Sequence, residues 1–280
     1  MQHLTDKVVA ITGAGSGIGR ALARRFALEG AHLALSDVNA DGLAETGRLL
    51  TDLPVRVTTA VVDVSDEQSV LDWADAVVAD HGRVNVIVNN AGVALSGTVA
   101  GISMTDYRWI MGINFWGVVH GTKAFLPHLE ASGEGHVVNI SSVFGLTAQP
   151  FMSGYNASKF AVRGFTESLR QELDISDSPV TATCVHPGGI KTNIARAARM
   201  SDSLVSATGQ SAEASAKDFE KLFFTSADSA AKVIVAGVKR NRRRVLIGAD
   251  ARVFDAMPRL APTGYQRLIG AVTKSRMGKS

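Results

Sequence analysis

Residues 7–19 read Lys7-Val-Val-Ala-Ile-Thr12-Gly13-Ala-Gly15-Ser16-Gly17-Ile18-Gly19, an apolar run that stops in four closely spaced glycines. Helical periodicity follows at once, with Leu22, Phe26 and Ala27 on one face over 20–29. A strand, a glycine turn and a helix in that order bring backbone N–H groups to a helix N-terminus, where a pyrophosphate binds. The spacing is T-G-x-x-x-G-x-G and departs from the commoner G-x-G-x-x-G because Ile stands at 18. Outward from this turn, strand-like runs at 32–36, 55–62, 84–88, 136–140, 179–185 and 244–247 alternate with helical patterns at 66–81, 105–130, 155–174 and 230–239. That alternation predicts an α/β fold with a doubly wound parallel sheet in a single domain. The run at 84–88 is apolar throughout, as a central strand covered on both faces requires.

Composition agrees with a globular chain: of 280 residues, 46% are hydrophobic and 20% charged. No apolar run reaches the roughly 18 residues of a membrane span, and the first one leads into glycines, so no targeting signal is expected and a cytoplasmic location is. The single cysteine, Cys184, lies in the apolar run TATCV and reads as a buried strand residue. The net charge of +3 hides an asymmetry: from Lys239 onward 11 basic residues face 2 aspartates, leaving the rest of the chain acidic. A surface with a subunit contact is the preferred reading of that basic tail over nucleic acid, which is not expected as a partner.

Several residues stand where a dinucleotide site needs them. Asp37, at the end of the second strand, is placed to accept from ribose hydroxyls, and no basic residue at Ser16, Val38 or Asn39 is there to neutralise a 2′-phosphate; NAD(H) is the expected cofactor. An N-cap role for Asp37 is compatible with that. Asp63-Val64 follows the third strand and reads as the adenine edge. Asn89-Asn90-Ala91-Gly92, at the end of the fourth, suits either a cofactor crevice or a structural turn. Asn114 is an amide among Ile113, Phe115 and Trp116, in what reads as one long helix, and requires a buried partner. Tyr155 and Lys159 are i and i+4 on a helix, so the ammonium is expected to favour the phenolate and lower a pKa that is ordinarily about 10. Ser142, at the end of the preceding strand, supplies a hydroxyl for the same substrate oxygen. An isolated Tyr-x-x-x-Lys is equally an ordinary helix face.

Taken together, Thr12 through Gly19, Asn89-Asn-Ala-Gly92, Asn114, Ser142, Tyr155-x-x-x-Lys159 and Pro187-Gly188 through Thr192 resemble the short-chain dehydrogenase/reductase family over residues 6 to about 248. The resemblance implies a Rossmann-like seven-stranded sheet and hydride transfer between NAD(H) and a secondary alcohol or ketone, the EC 1.1.1 class. It makes Tyr155 the acid/base and Lys159 the ribose-binding partner of the proton transfer. Ser142 then positions substrate, and Asn114 anchors a water linking Lys159 to solvent. Cofactor contacts are expected from Gly13, Gly15, Ser16, Gly17, Ile18, Gly19, Asp37, Asp63, Val64, Asn90, Ala91, Gly92, Pro187, Gly188, Ile190 and Thr192. It also implies a homodimer or homotetramer built on the helices near 105–130 and 155–174. No metal is expected. An NADPH-dependent carbonyl reductase and a non-catalytic dinucleotide sensor are the alternatives.

On the substrate side, Val143, Phe144, Phe151 and Gly189 join Ser142 and Tyr155, with Ala94, Leu95, Met200, Leu204, Phe219 and Phe223 as further pocket candidates. Their apolar character points to a lipid-, terpenoid- or steroid-like substrate. The Ala/Ser-rich stretch 193–225 shows little periodicity and reads as a substrate lid within a catalytic domain of residues 1–248. Beyond it, 249–280 is a basic extension with Val253, Phe254, Met257 and Leu260 at helical spacing, read as an interface in preference to a membrane-surface contact.

Overall fold

All five residues of the first strand, β1 Val8–Thr12, are buried, because β1 is flanked by a strand on each side and by helices above and below. The computed structural model describes residues 1–195, 197–209, 211 and 223–277. Its main sheet adds β2 His32–Asp37, β3 Val57–Val61, β4 Val86–Asn89, β5 Gly135–Ile140, β6 Val180–Pro187 and β7 Arg244–Ile247. The order is β7-β6-β5-β4-β1-β2-β3, with every pairing parallel. Winding reverses between β1 and β4, which opens a crevice at the carboxyl ends of the strands. This is the Rossmann-like doubly wound seven-stranded sheet expected from the sequence.

Each face of the sheet buries its own helix layer. On one face lie α1 Gly17–Leu28 and α8 Ala227–Lys239, contributing Leu22, Phe26, Ile234 and Val238 to a continuous core, and α2 Ala40–Arg48, which adds Leu43. On the other lie α3 Glu67–His81, α5 Gly117–Ala131 and α6 Ser153–Ile175. There Trp73 meets Phe125 edge-to-face at 5.0 Å, above Leu129, Leu169 and Leu173. Each such side chain removed from water contributes about 1.5–3 kcal/mol. Phe160, although apolar and on α6, is 39% exposed. The buried stripe of α6 runs through Val162, Thr166, Leu169 and Leu173, and Phe160 falls about 200° away from Val162 on the helical wheel. Cys184 is buried in β6, as expected, and burial pushes its thiol up to about 12.

The pattern at 105–130 is two helices and a bulge. α4 Met104–Met111 passes into a π turn, Gly112–Trp116, before α5 begins. The bulge inserts one extra residue and turns Asn114 fully inward, a device common at functional sites. Periodicity could not reveal it, because apolar residues continue on the same side before and after.

The stretch 193–225 is more ordered than its composition predicts, in the parts that are described. Arg199–Met200 pairs with Leu95–Ser96, α7 Asp202–Thr208 is capped by the Ser201 side chain, and Thr225–Ser226 pairs with Ile190–Lys191. Phe219 lies outside the described residues. The tail forms α9 Ala249–Leu260 and α10 Gly264–Met277. Ala251 and Tyr265 face inward, whereas Val253 and Leu260 are exposed and Phe254 and Met257 half-buried. No helix among the described residues is long and apolar enough to cross a membrane.

Candidate active site

The glycine turn is shaped by contacts that exclude side chains. Gly13 and Gly17 have φ of +66° and +52°, and a methyl at Gly13 would lie 2.7 Å from the Ala91 Cα. Thr12 fixes this turn to the end of β4: its Oγ1 accepts from the N–H groups of Asn90 and Ala91, both at 3.0 Å. The Asn90 amide donates in turn to the carbonyls of Thr12 and Gly13, at 2.9 and 3.1 Å. Asn90 is therefore a staple of the turn through its side chain. Ser16 caps α1 only as extended backbone, with no side-chain hydrogen bond, so the first amides of the helix remain available. A crowded glycine cradle ending in an uncapped helix N-terminus fits a dinucleotide pyrophosphate.

Asp37 reaches this turn directly. Its Oδ2 accepts from Gly15 N–H and its Oδ1 from Asn39 N–H, both at 2.9 Å. The N-cap of α2 is Asn39, so Asp37 does not serve that role. Arg20, which sequence reasoning passed over, donates to the carbonyls of Gly15 and Gly42 and to Thr46 Oγ1. A cation in the first turn of a helix opposes the helix dipole, and that is the signal that would have singled it out. Its hydrogen bonds commit it to the protein. Asp63 is exposed and accepts from Ser65 N–H and Oγ, while Val64 is buried against Gly117.

Beyond the turn, α6 begins at Ser153, two residues earlier than the sequence pattern indicates, and places Tyr155 in its first turn. Tyr155 and Lys159 are 8% and 3% exposed. The Ser142 side chain lies beside the Tyr155 hydroxyl, and its Oγ accepts from Phe144 N–H at 3.1 Å. Lys159 Nζ donates to the Ile140 carbonyl at 3.0 Å and sits 5.7 Å from the Tyr155 ring centroid. Asn114 Oδ1 accepts from Val93 N–H at 2.8 Å, and its Nδ2 donates to the Val93 carbonyl at 2.9 Å and to Ser158 Oγ at 3.1 Å. Gly92 closes the group: a Cβ there would lie 3.2 Å from Asn114 Oδ1 and 3.4 Å from Lys159 Nζ.

The expected lowering of the Tyr155 pKa is overturned. Burial pushes the phenol up to about 12, only partly offset by the Ser142 hydroxyl beside it, and burial pulls Lys159 down to about 8. Desolvation outweighs the neighbouring cation, which lies over the ring. A stability consequence follows for Lys159. Its folded pKa lies below its unfolded value, so between about 8 and the ordinary lysine value the unfolded chain binds more protons and stability rises with pH. Relative to Lys159→Met, the wild type is expected to gain up to about 1.4 kcal/mol per pH unit across that window. Parallel urea curves for the two proteins from pH 7.5 to 10, without dinucleotide, check this; a constant difference between them would sink it.

The last wall comes from the end of β6. Gly188 N–H donates to the Ile247 carbonyl at 2.9 Å, Thr192 packs on Gly17, and Ile190 is buried beside Thr225. Ala94, Leu95, Met152 and Tyr155 form one apolar cluster, with Phe144 edge-to-face on Tyr155 at 5.9 Å. Val143 is buried, and Phe151 has φ of +63°, a conformation costly for a side chain of its size. Phe223 is buried and Met200 half-buried. The described residues hold no metal-binding cluster of His, Cys, Asp and Glu.

A family model for the short chain dehydrogenases matches residues 7–203, and the chain belongs to that family of oxidoreductases. Among curated proteins it is similar to SadH of Mycobacterium tuberculosis, 50% identical over 272 residues that cover 97% of this chain and 96% of SadH. Among solved structures it is similar to a short chain dehydrogenase/reductase from Burkholderia phymatum in complex with NAD. That likeness has a TM-score of 0.85 and 31% identity, and covers 92% of this chain and 95% of the other. A short chain dehydrogenase from Mycobacterium paratuberculosis bound to NAD matches with a TM-score of 0.74 and 30% identity, over 87% of this chain and 97% of that one.

Proposed function

We propose that this oxidoreductase transfers a hydride between NAD(H) and an apolar secondary alcohol or ketone, with Tyr155 as the acid/base. The observation that carries this reading is the buried Tyr155, beside Ser142 and covered by Lys159, whose ammonium lies against Gly92 at the end of β4. When bound, the dinucleotide supplies the hydride acceptor or donor. The chain supplies orientation and the proton. Ser142 Oγ holds the substrate oxygen against Tyr155, whose phenolate form takes the alcohol proton in oxidation and whose hydroxyl returns one to the carbonyl in reduction. Lys159 holds the nicotinamide ribose and keeps a cation beside the developing phenolate. Asn114 spends its amide on Val93 and Ser158, so its share in a water relay toward Lys159 falls to the main chain of the π turn.

Gly13 through Gly19 receive the pyrophosphate, Asp63 and Val64 the adenine, and Asn90 through Gly92 with Pro187 through Thr192 the nicotinamide side. NAD(H) is favoured by Asp37, whose carboxylate faces Gly15 N–H while Arg20 is occupied by carbonyls. Two NAD-bound relatives of the same fold support it. Asp37→Ala combined with Val38→Arg is expected to shift the NAD/NADP preference in kcat/KM by at least about tenfold toward NADP, the worth of one charge-assisted contact. An unchanged ratio would remove Asp37 from the ribose.

Leu95 and Phe144, packed about Tyr155, with Val143 and Phe151 in the stretch that carries Phe144, favour a hydrophobic substrate. The exposed Trp116 and Phe160, on the π turn and α6, support a homodimer or homotetramer through those helices. The deciding experiment is NADH formation from NAD against a panel of apolar secondary alcohols, with matched ketones in reverse. A small polyol with the highest kcat/KM would refute the substrate class.

A further inference from the structure

The carboxylate of Asp250 belongs to a segment that sequence reasoning assigned to an extension, yet it is held against the turn that follows β6. Its Oδ2 accepts from Gly189 N–H at 2.7 Å. Gly188 and Gly248 both press on the same carboxylate so closely that a Cβ on either would overlap it. Gly248 has φ of +99°, which turns the chain out of β7 and delivers Asp250 to the turn. The other end of the same residue is equally held: the Gly189 carbonyl accepts from Phe224 and Thr225 N–H, both at 3.1 Å. The N-terminal end of α9 and the far end of the 193–225 segment thus grip one glycine from opposite sides. Further along the tail, Tyr265 is buried, and its hydroxyl accepts from Ala148 N–H at 3.4 Å, in the loop that carries Phe144 and Phe151.

We infer that Asp250 is a positioning residue for the dinucleotide: its carboxylate fixes the Gly188–Gly189 turn against which the nicotinamide end is held. This rests on the NAD(H) reading above. A glycine pair with no side chains to pack has many conformations open to it, and one charge-assisted hydrogen bond to a rigid helix removes most of them. The competing role, a carboxylate that merely complements the α9 dipole, makes a different forecast, because an amide has no charge but can still accept from Gly189 N–H.

The test is NADH affinity, measured by fluorescence titration well below the melting temperature, for wild type, Asp250→Asn and Asp250→Ala, with thermal melts of all three. The expected result is a Kd for NADH raised about tenfold or more in Asp250→Ala and restored to within about threefold of wild type in Asp250→Asn, the usual size of a hydrogen bond to a charged group. Steady-state kinetics should show the same ranking in KM for the dinucleotide. Wild-type affinity in Asp250→Ala overturns the inference. So does equal weakening of both variants in step with their melting temperatures, which assigns Asp250 to the helix dipole. Wild type that fails to bind NADH overturns the functional reading, and the inference with it.

Discussion

Tyr155→Phe is expected to lose about three orders of magnitude in kcat while binding NADH within about threefold of wild type, the range general acid–base catalysis contributes. The substitution removes one hydroxyl and leaves the ring, so the edge-to-face contact with Phe144 persists. What disappears is the group that meets Ser142 and would meet the substrate oxygen. Stability should change by no more than about 1 kcal/mol, the net worth of one hydrogen bond. Turnover, NADH titration and urea denaturation on one preparation separate the three effects. A variant keeping more than a tenth of wild-type turnover would move the proton to another residue, and the buried phenol would become a packing feature.

Gly19→Ala should be nearly as damaging by a different route. The added methyl would overlap the Gly13 carbonyl oxygen and lie 2.7 Å from Asn90 Nδ2. Both are fixed, the first by the turn itself and the second by its hydrogen bonds to Thr12 and Gly13. The conflict must be relieved by moving α1 off the turn, at about 3 kcal/mol, the upper end of the usual cost of overpacking. The helix-propensity gain of alanine over glycine recovers about 1 kcal/mol at most. NADH affinity is expected to fall at least about a hundredfold, since the turn and helix N-terminus separate. Wild-type affinity in this variant would show that the pyrophosphate does not rest there.

How much of this was legible beforehand differed by residue. The alternation of apolar runs with helical periods was enough for the sheet, because burial on two faces writes itself into composition. The Tyr155-x-x-x-Lys159 spacing located a shared helix face, which is local geometry. The sign of the Tyr155 shift was not local: it depends on how completely β5, α6 and the 142–151 loop exclude water, and spacing carries no record of that. The π turn escaped for a related reason, since Asn114 is explained only by its partners Val93 and Ser158, remote in sequence. Asp250 and Arg20 stand out less because each is an ordinary surface type whose partners are mostly backbone groups. A charged residue beside a glycine turn is the sequence signal that both share.

The single cysteine gives the fold a reporter of its own. Cys184 lies in the middle of β6, between β5 and β7, and is 1% exposed. Alkylating or metal-based thiol reagents can reach it only when the centre of the sheet opens. The rate at which it is labelled in a mild denaturant series counts global openings of the molecule. Dinucleotide that binds only the folded chain must slow that labelling by the factor set by its own affinity and concentration. Labelling of the thiol would therefore measure dinucleotide binding without turnover or substrate.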